Sequence, residues 1–202
     1  MRAELEHRKL VPGTSCWYAP HFFDAARAEK LGEELRTSLI WRRDKIRVFG
    51  KTHAIPRLHA LYGDEGLHYK YSNIVLKALP WNEALLRIVQ DVNTVTGGQF
   101  NSVLCNLYRD GNDCNGWHAD DEQELGLDPI IASLSFGAAR VFQLKHRKNG
   151  ERIDIDLQPG SLLYMGEGMQ IDWLHSLPRR KRCKQWRVNL TFRKIIGGIP
   201  RS

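Results

Sequence analysis

The feature that most constrains the fold is a series of short β-prone runs, separated by turn residues, that fills the chain from residue 100 onward. Two amphipathic helical segments precede the series, at 22–38 with Asp24 as a candidate cap and at 81–94, where Gly97 and Gly98 end the pattern. Eight runs after two helices predict a mostly β, α+β chain that forms a double-layered barrel or jelly roll, with helices packed outside one sheet. The runs lie at 102–108, 116–120, 130–136, 139–144, 153–157, 161–165, 172–175 and 187–193.

Length and charge narrow the class of protein. The 202 residues contain no repeat or linker, which predicts a single domain over residues 1–202. The formal net charge of +7 favours a polyanionic partner such as nucleic acid, although a basic protein without a special partner is the alternative. We expect a monomer.

The cysteines and the first residues bear on location. Cys16, Cys105, Cys114 and Cys183 form no C-x-x-C pair, which favours free thiols in a reducing compartment. The first nine residues carry charges where a signal peptide is apolar, and no apolar stretch is long enough for a bilayer. The sequence therefore predicts an intracellular, soluble protein without membrane contact, in the nucleus if eukaryotic and in the cytoplasm if bacterial.

Two motifs indicate a metal. In His118-Ala-Asp120, a strand would turn the imidazole and the carboxylate to the same side. His175 follows far downstream, at the end of another predicted strand. Two histidines and one carboxylate are the ligand set that holds Fe(II) with open positions, and the same set could hold catalytic zinc. A hydrogen-bonded His–Asp pair in a core is the plain alternative for the first motif.

A third motif favours iron. In the run 187–193, Arg187, Asn189, Thr191 and Arg193 alternate with apolar residues and so share one strand face. Polar side chains on an inward face are costly unless they meet a buried anion, and guanidinium groups bind carboxylates bidentately. A diacid co-substrate fits this face. A solvated strand face is the alternative, which the position of the run after the two metal motifs disfavours.

Five motifs in this order resemble the AlkB family of oxidative nucleic-acid demethylases, over about residues 45–195. They are Asn106-Leu-Tyr108, Trp117-His-Ala-Asp-Asp-Glu122, 131–137, His175-Ser-Leu-Pro178 and Arg187-Val-Asn-Leu-Thr-Phe-Arg193. The resemblance implies a double-stranded β-helix, a cupin-like jelly roll, at about 100–195, with an N-terminal nucleotide-recognition lid at about 41–75. It also implies Fe(II), with 2-oxoglutarate and O₂ as co-substrates. The implied activity removes methyl groups of the 1-methyladenine and 3-methylcytosine type from DNA, or RNA, and releases formaldehyde, succinate and CO₂.

The same resemblance assigns roles around the metal. His118, Asp120 and His175 would bind Fe(II) and carry catalysis. Arg193 would pair with the far carboxylate of 2-oxoglutarate, while Arg187 would contact the iron-chelating carboxylate or orient Asp120. The pocket would be completed by Asn106, Tyr108 and Thr191.

Base recognition would require the target nucleotide to leave the stack. The resemblance implies a wedging hairpin at Phe49, Gly50 and Lys51, and Arg57 would contact the strand or the vacated space. Tyr71 would stack on the base opposite His118, and Tyr69 would lie at its edge. A cationic methylated base would be favoured beside Asp121 and Glu122. A core role for Phe49 and a solvated acid pair are the corresponding alternatives.

Two other functions remain open at this point. A dioxygenase of the same fold could act on a protein or a small molecule, and a nucleic-acid binder could carry a decayed site. The complete triad and both arginines argue against the second. Phe49, the two tyrosines, the acid pair and the positive charge argue against the first. The basic run 178–184 is expected to be a connecting loop that could touch phosphates.

Overall fold

The helices begin at the polar residues that cap them. The computed structural model describes residues 7–48, 51–71 and 74–197, and the side chains of these except at 46–48, 51–52 and 71. Helix α1 spans Ala25–Ser38, α2 spans Glu83–Thr96 and the short α3 spans Met169–Asp172, with a 3-10 turn at Gln123–Leu125. Asp24 accepts a hydrogen bond from Arg27 N, which confirms the predicted cap, and Asn82 caps α2 in the same way. Each helix therefore begins two or three residues later than predicted.

All eight predicted runs are strands. In chain order the strands are β1 Arg8–Lys9, β2 Trp17–Ala19, β3 Lys45–Val48, β4 Lys51–Ala54, β5 Leu58–Gly63, β6 His68–Tyr71, β7 Ile74–Lys77, β8 Leu79–Pro80, β9 Ser102–Tyr108, β10 Asn115–His118, β11 Ile131–Gly137, β12 Arg140–His146, β13 Arg152–Leu157, β14 Leu162–Met165, β15 Trp173–Leu177 and β16 Arg187–Arg193. The runs at 102–108 and 187–193 match their strands residue for residue, and no other boundary shifts by more than two residues.

The strands form two layers. The large sheet has the order β1-β2-β14-β11-β16-β9-β5-β8, and the small sheet has the order β10-β15-β12-β13. From β9 onward the chain passes between the two sheets, and these strands pair antiparallel within each sheet, whereas β8 pairs parallel with β5 at the edge of the large sheet. This is the predicted jelly roll, in which the inner faces of both sheets enclose a space.

The two faces of β16 have opposite environments. Val188, Leu190 and Phe192 are fully buried in the core that the large sheet shares with α1 and α2. Each such side chain contributes about 1.5–3 kcal/mol of burial free energy. Because side chains alternate along a strand, the polar residues of β16 face the space between the sheets. On the helix side, Gly32 lets α1 approach closely, since an added Cβ would lie 3.0 Å from Phe136 Cβ.

The segment predicted as a lid forms two hairpins and one strand of the large sheet. Strands β3 and β4 pair antiparallel, as do β6 and β7, whereas β5 joins β9 in the large sheet. His59 on β5 bonds the carboxylate of Asp44 at 2.9 Å and so ties the base of the first hairpin to the sheet. Phe49 and Gly50 lie outside the described residues. Among the helices of the described ranges, none has the length and apolarity that crossing a bilayer requires.

Candidate active site

Three predicted ligands converge at the inner face of the small sheet. Strand β10 ends at His118 and pairs with β15 so that His118 lies opposite His175. Their Nε2 atoms are 3.1 Å apart, and they lie 3.7 and 3.9 Å from Asp120 Oδ1. Two adjacent ligands at a right angle, each about 2.1 Å from one ion, would be separated by about 3 Å. The two imidazoles are therefore spaced to share a metal ion.

The protonation states suit a divalent cation. Burial lowers the pKa of His175 to about 3 and also lowers that of His118, so both imidazoles are neutral at neutral pH. His118 Nδ1 lies 2.8 Å from the Gly116 carbonyl oxygen, to which it donates, and this leaves the lone pair on Nε2. Burial opposes ionisation of Asp120, but Arg193 and the two histidines outweigh it and hold the pKa of Asp120 at about 2.

Asp120 is held from two sides. Arg193 Nη2 donates to Asp120 Oδ2 at 2.7 Å, and the Asp120 backbone N–H donates to Gln170 Oε1 at 3.0 Å. The other carboxylate oxygen, Oδ1, is buried and finds no hydrogen-bond partner among the described residues. Arg187 was expected either to contact the iron-chelating carboxylate or to orient Asp120. In the structure it bonds Ser135, and Arg193 is the arginine beside Asp120.

The polar face of β16 forms one wall of the same cavity. Its four predicted residues are buried and line the cavity that the three ligands also line. Arg187 Nη2 donates to Ser135 Oγ at 2.9 Å, and its guanidinium lies 5.2 Å from the ring centre of Tyr108. Asn189 donates to Ser133 Oγ, and Thr191 donates to Asn189 Oδ1. These bonds order the wall.

Several guanidinium hydrogens in this wall lack acceptors. Arg187 Nε, Arg193 Nε and Arg193 Nη1 are buried without a hydrogen-bond partner among the described residues. Burial lowers the pKa of Arg187 to about 10, so the group still carries its charge at neutral pH. Buried, charged donors of this kind are costly unless an anion supplies acceptors. The wall therefore fits a bound dicarboxylate.

Asn106 and Tyr108 line the cavity as predicted, and Arg57 joins them. Arg57 is buried, and it donates from Nε to Asn106 Oδ1 at 2.8 Å and from Nη1 to the Cys114 carbonyl at 3.3 Å. The structure thus places Arg57 inside the cavity wall, where it orients Asn106, rather than on a surface that faces a nucleic-acid strand. No feature of the sequence distinguished this arginine from a surface one.

The predicted base-binding residues are partly brought together. Tyr69 is fully buried, and the guanidinium carbon of Arg193 lies 5.2 Å from the centre of the Tyr69 ring. Tyr69 is not among the residues that line the cavity. Glu122 is half-buried beside Tyr69, and burial raises its pKa. Asp121 is exposed and pairs with Arg147 at 3.1 Å. The side chains of Lys51 and Tyr71 lie outside the described part of the chain.

Other residues of the site were missed in the sequence. Asn115 Nδ2 lies 3.1 Å from His118 Nε2, and the ring of Phe142 stacks on His175 with 5.4 Å between centres. Ser133 could have been found, because it alternates inward along β11 beside β16. Gln170 could not, since it lies in a four-residue helix with no periodic pattern.

Comparison with known proteins settles the family. A model of the 2OG-Fe(II) oxygenase superfamily matches residues 15–193. Over 96% of its length, the chain is 42% identical to the DNA oxidative demethylase ALKBH2 of Bos taurus, of which it covers 74%. The chain is an AlkB-family 2OG-Fe(II) oxygenase.

Two further comparisons agree. The oxygenase is 42% identical, over 89% of its length, to the alpha-ketoglutarate-dependent dioxygenase alkB homolog 3 of Homo sapiens, of which it covers 65%. The solved structure of OsALKBH1 superimposes with a TM-score of 0.67 at 16% identity, covering 94% of this chain and 100% of that chain, and this confirms the fold.

The cofactors of this AlkB-family oxygenase are Fe(II) and 2-oxoglutarate, with O₂ as co-substrate. The residues present fit them. His118, Asp120 and His175 offer neutral nitrogens and a carboxylate oxygen, all within 4.8 Å of one another, which is the two-histidine, one-carboxylate set of non-haem iron. The unsatisfied guanidinium hydrogens of Arg187 and Arg193 supply the counter-charge that a dicarboxylate needs.

The contact between Gln170 and the Asp120 backbone leads to a first prediction. Gln170→Leu keeps the volume but removes the acceptor, so Asp120 loses one of its two restraints. We expect metal affinity to fall by about 10- to 100-fold, the usual cost of losing a partner that orients a ligand. A Mn(II) titration measures this. Gln143→Leu, which removes an exposed amide bonded to Asp154, is the control and should leave affinity unchanged. Equal affinity in both variants would show that Gln170 does not position the ligand.

Proposed function

We propose that this oxygenase oxidatively removes methyl groups from N-alkylated bases of the 1-methyladenine and 3-methylcytosine type in DNA. One observation carries the proposal: a three-ligand metal site and two buried guanidinium groups face each other across a single cavity. The high identity to relatives named DNA oxidative demethylase supports the substrate class. The products are formaldehyde, succinate, CO₂ and the repaired base.

The geometry supports a definite arrangement of the co-substrate. Arg187, beside Tyr108, binds the far carboxylate of 2-oxoglutarate, and Asn106 supports it from the same wall. Arg193 holds Asp120 and directs its remaining N–H groups at the carboxylate nearest the iron. These roles exchange the two arginines relative to the expectation from sequence, because Arg193 is the one that bonds a metal ligand.

Bound Fe(II), with 2-oxoglutarate and O₂, supplies the oxidant that hydroxylates the N-methyl carbon, after which the hydroxymethyl group leaves as formaldehyde. The protein positions the groups and excludes water. His175 and Asp120 are buried, which limits the access of water to these two ligands. Glu122 lies close enough to Arg193 and Asp120 for their charges to act on its pKa, and an ionised carboxylate at this position favours a cationic base over its neutral, repaired form.

The direct test measures formaldehyde and succinate released from a methylated oligonucleotide by the Fe(II)-loaded protein. We expect both products in equal amounts, and only with the methylated strand and 2-oxoglutarate present. An unmethylated oligonucleotide of the same sequence is the control. Succinate formation that does not depend on the methylated strand would contradict the proposal and favour a protein or small-molecule substrate for the same fold.

The first hairpin provides a second prediction. We propose that Phe49, with Gly50 and Lys51, wedges the duplex at the flipped base, and that Tyr71 stacks on that base. Phe49→Ala should lower kcat/KM about tenfold or more on duplex DNA and much less on a single strand, because only the duplex must be unstacked. Phe49→Leu, which keeps an apolar wedge, is the control. Equal losses on both substrates would refute the wedge.

Strand type and assembly are also open to measurement. We propose that DNA is the main substrate, and comparison of the same lesion in duplex DNA, single-stranded DNA and RNA ranks the three. We further propose that the enzyme acts as a monomer where the cell keeps its DNA, the nucleus of a eukaryote or the cytoplasm of a bacterium. Light scattering of the purified protein measures the mass, and a dimer would contradict this.

A further inference from the structure

A large aromatic side chain lies exposed next to the metal site. Trp117 immediately precedes the ligand His118 on β10, and 41% of its surface is exposed. Tryptophan is usually among the more buried residues of a protein. Since His118 faces the cavity, Trp117 faces the outer side of the small sheet. Among the described residues, its ring contact there is with Arg152, whose guanidinium carbon lies 5.8 Å from the ring centre.

Cationic side chains share the outer face with Trp117, together with Asp154, whose carboxylate accepts a hydrogen bond from Gln143. Arg152 on β13 lies directly opposite Lys145 on β12, so the two side chains share the outer face with the indole. Within the described ranges, neither of them forms an ion pair. By contrast, the nearby Arg147 pairs with Asp121, and Lys148 lies 4.0 Å from Asp172. An exposed aromatic ring beside cations that form no ion pair among the described residues is the combination that binds single-stranded nucleic acid.

The position of β10 connects this surface to the active site. β10 is the edge strand of the small sheet, so its outer edge has no neighbouring strand in the described structure. The cavity lies on one face of this strand, and Trp117 lies on the other. The side chain of His118 is 26% exposed at this edge, so a base that enters beside His118 has its flanking nucleotides within reach of the outer face.

We infer that Trp117 is a stacking platform for a nucleobase that flanks the target base, and that Arg152 and Lys145 bind the phosphates of that same strand. The inference rests on the proposed function and extends it: the enzyme holds the strand by a base outside the catalytic cavity. Stacking on an aromatic ring is tolerant of base identity, so the platform adds affinity without sequence preference. It also leaves the chemical step unchanged.

The test combines a protein change with a substrate change. Methylated single-stranded oligonucleotides are prepared with an abasic site at each flanking position in turn, and kcat and KM are measured for the wild type and for Trp117→Ala. We expect one abasic position to raise the wild-type KM about tenfold, and Trp117→Ala to raise the KM for the intact strand by the same factor. Trp117→Ala should then be insensitive to that abasic position, with kcat unchanged.

Matched variants separate stacking from a structural role. Trp117→Phe should recover most of the affinity, and Val95→Ala, at an exposed apolar residue of α2, should behave as the wild type. Mn(II) affinity should be the same in all variants. Two results would overturn the platform and leave the demethylase activity of the wild type standing. One is a rise in KM from Trp117→Ala that adds to the rise from every abasic site, and the other is weaker Mn(II) binding by Trp117→Ala. A wild type that releases no formaldehyde from any methylated strand would instead remove the proposed function, and the platform with it.

Discussion

His118→Ala is expected to lose all measurable 2-oxoglutarate turnover while it keeps its fold. The change removes one of three metal ligands, and the two that remain cannot hold Fe(II) in a site with fixed open positions. The side chain of His118 is 26% exposed, and its contacts are with Gly116, Asn115 and the other ligand His175, so its loss creates little cavity. Succinate release measures turnover, and thermal unfolding monitored by circular dichroism measures the fold.

A control variant and a second ligand variant help to interpret this result. His21→Ala changes an exposed histidine on the far side of the protein and should retain full activity. Asp120→Ala should be inactive as well, but it leaves Arg193 buried without its partner, which typically costs about 3–5 kcal/mol of stability. Inactivity of that variant alone would therefore be ambiguous. Full turnover by His118→Ala would refute the metal site.

Arg187→Leu is expected to abolish tight binding of 2-oxoglutarate without weakening the metal site. Loss of one partner from a buried, hydrogen-bonded charge pair costs about 2–5 kcal/mol, or about 30-fold in affinity at the least. Calorimetric titration of the Mn(II)-loaded protein with 2-oxoglutarate measures this. Arg187→Lys should recover only part of the affinity, because an ammonium group cannot replace the planar fork of a guanidinium.

The unfolding temperature of Arg187→Leu tests the role of Arg187 independently. Because Arg187 is a buried charge with an unsatisfied Nε, its replacement by leucine should leave the unfolding temperature unchanged or raise it when 2-oxoglutarate is absent. Added 2-oxoglutarate should stabilise the wild type and not the variant. Arg193→Leu should differ by weakening Mn(II) binding too, since Arg193 holds Asp120. The opposite pattern for the two arginines would restore the roles first expected from sequence.

The β architecture could be predicted because its turns are visible in the sequence. Polar and glycine-containing segments separate the runs after residue 100, and each run is long enough to show β-prone composition. The N-terminal strands were mostly missed, because pieces such as Arg8–Lys9 and Leu79–Pro80 span two residues and exist only through their partners in the large sheet.

The sequence predicted which residues lie in the site better than it predicted which of them contact each other. Alternation along 187–193 placed Arg187 and Arg193 on one inward face, which the structure confirms. Alternation does not reveal which end of a strand lies beside the metal, since that depends on how β16 pairs with β9 and β11. Arg57 was predicted to meet nucleic acid, yet it bonds Asn106 inside the wall. Such tertiary contacts leave no periodic signal.

The central claim is that one cavity holds the metal on His118, Asp120 and His175 and the diacid on the opposite arginine wall. A crystal structure of the protein with Mn(II) and 2-oxoglutarate tests it most directly. We predict one Mn(II) bound to those three side chains, and the far carboxylate of 2-oxoglutarate in contact with Arg187. A metal ion bound elsewhere, or a diacid that touches neither Arg187 nor Arg193, would contradict the account.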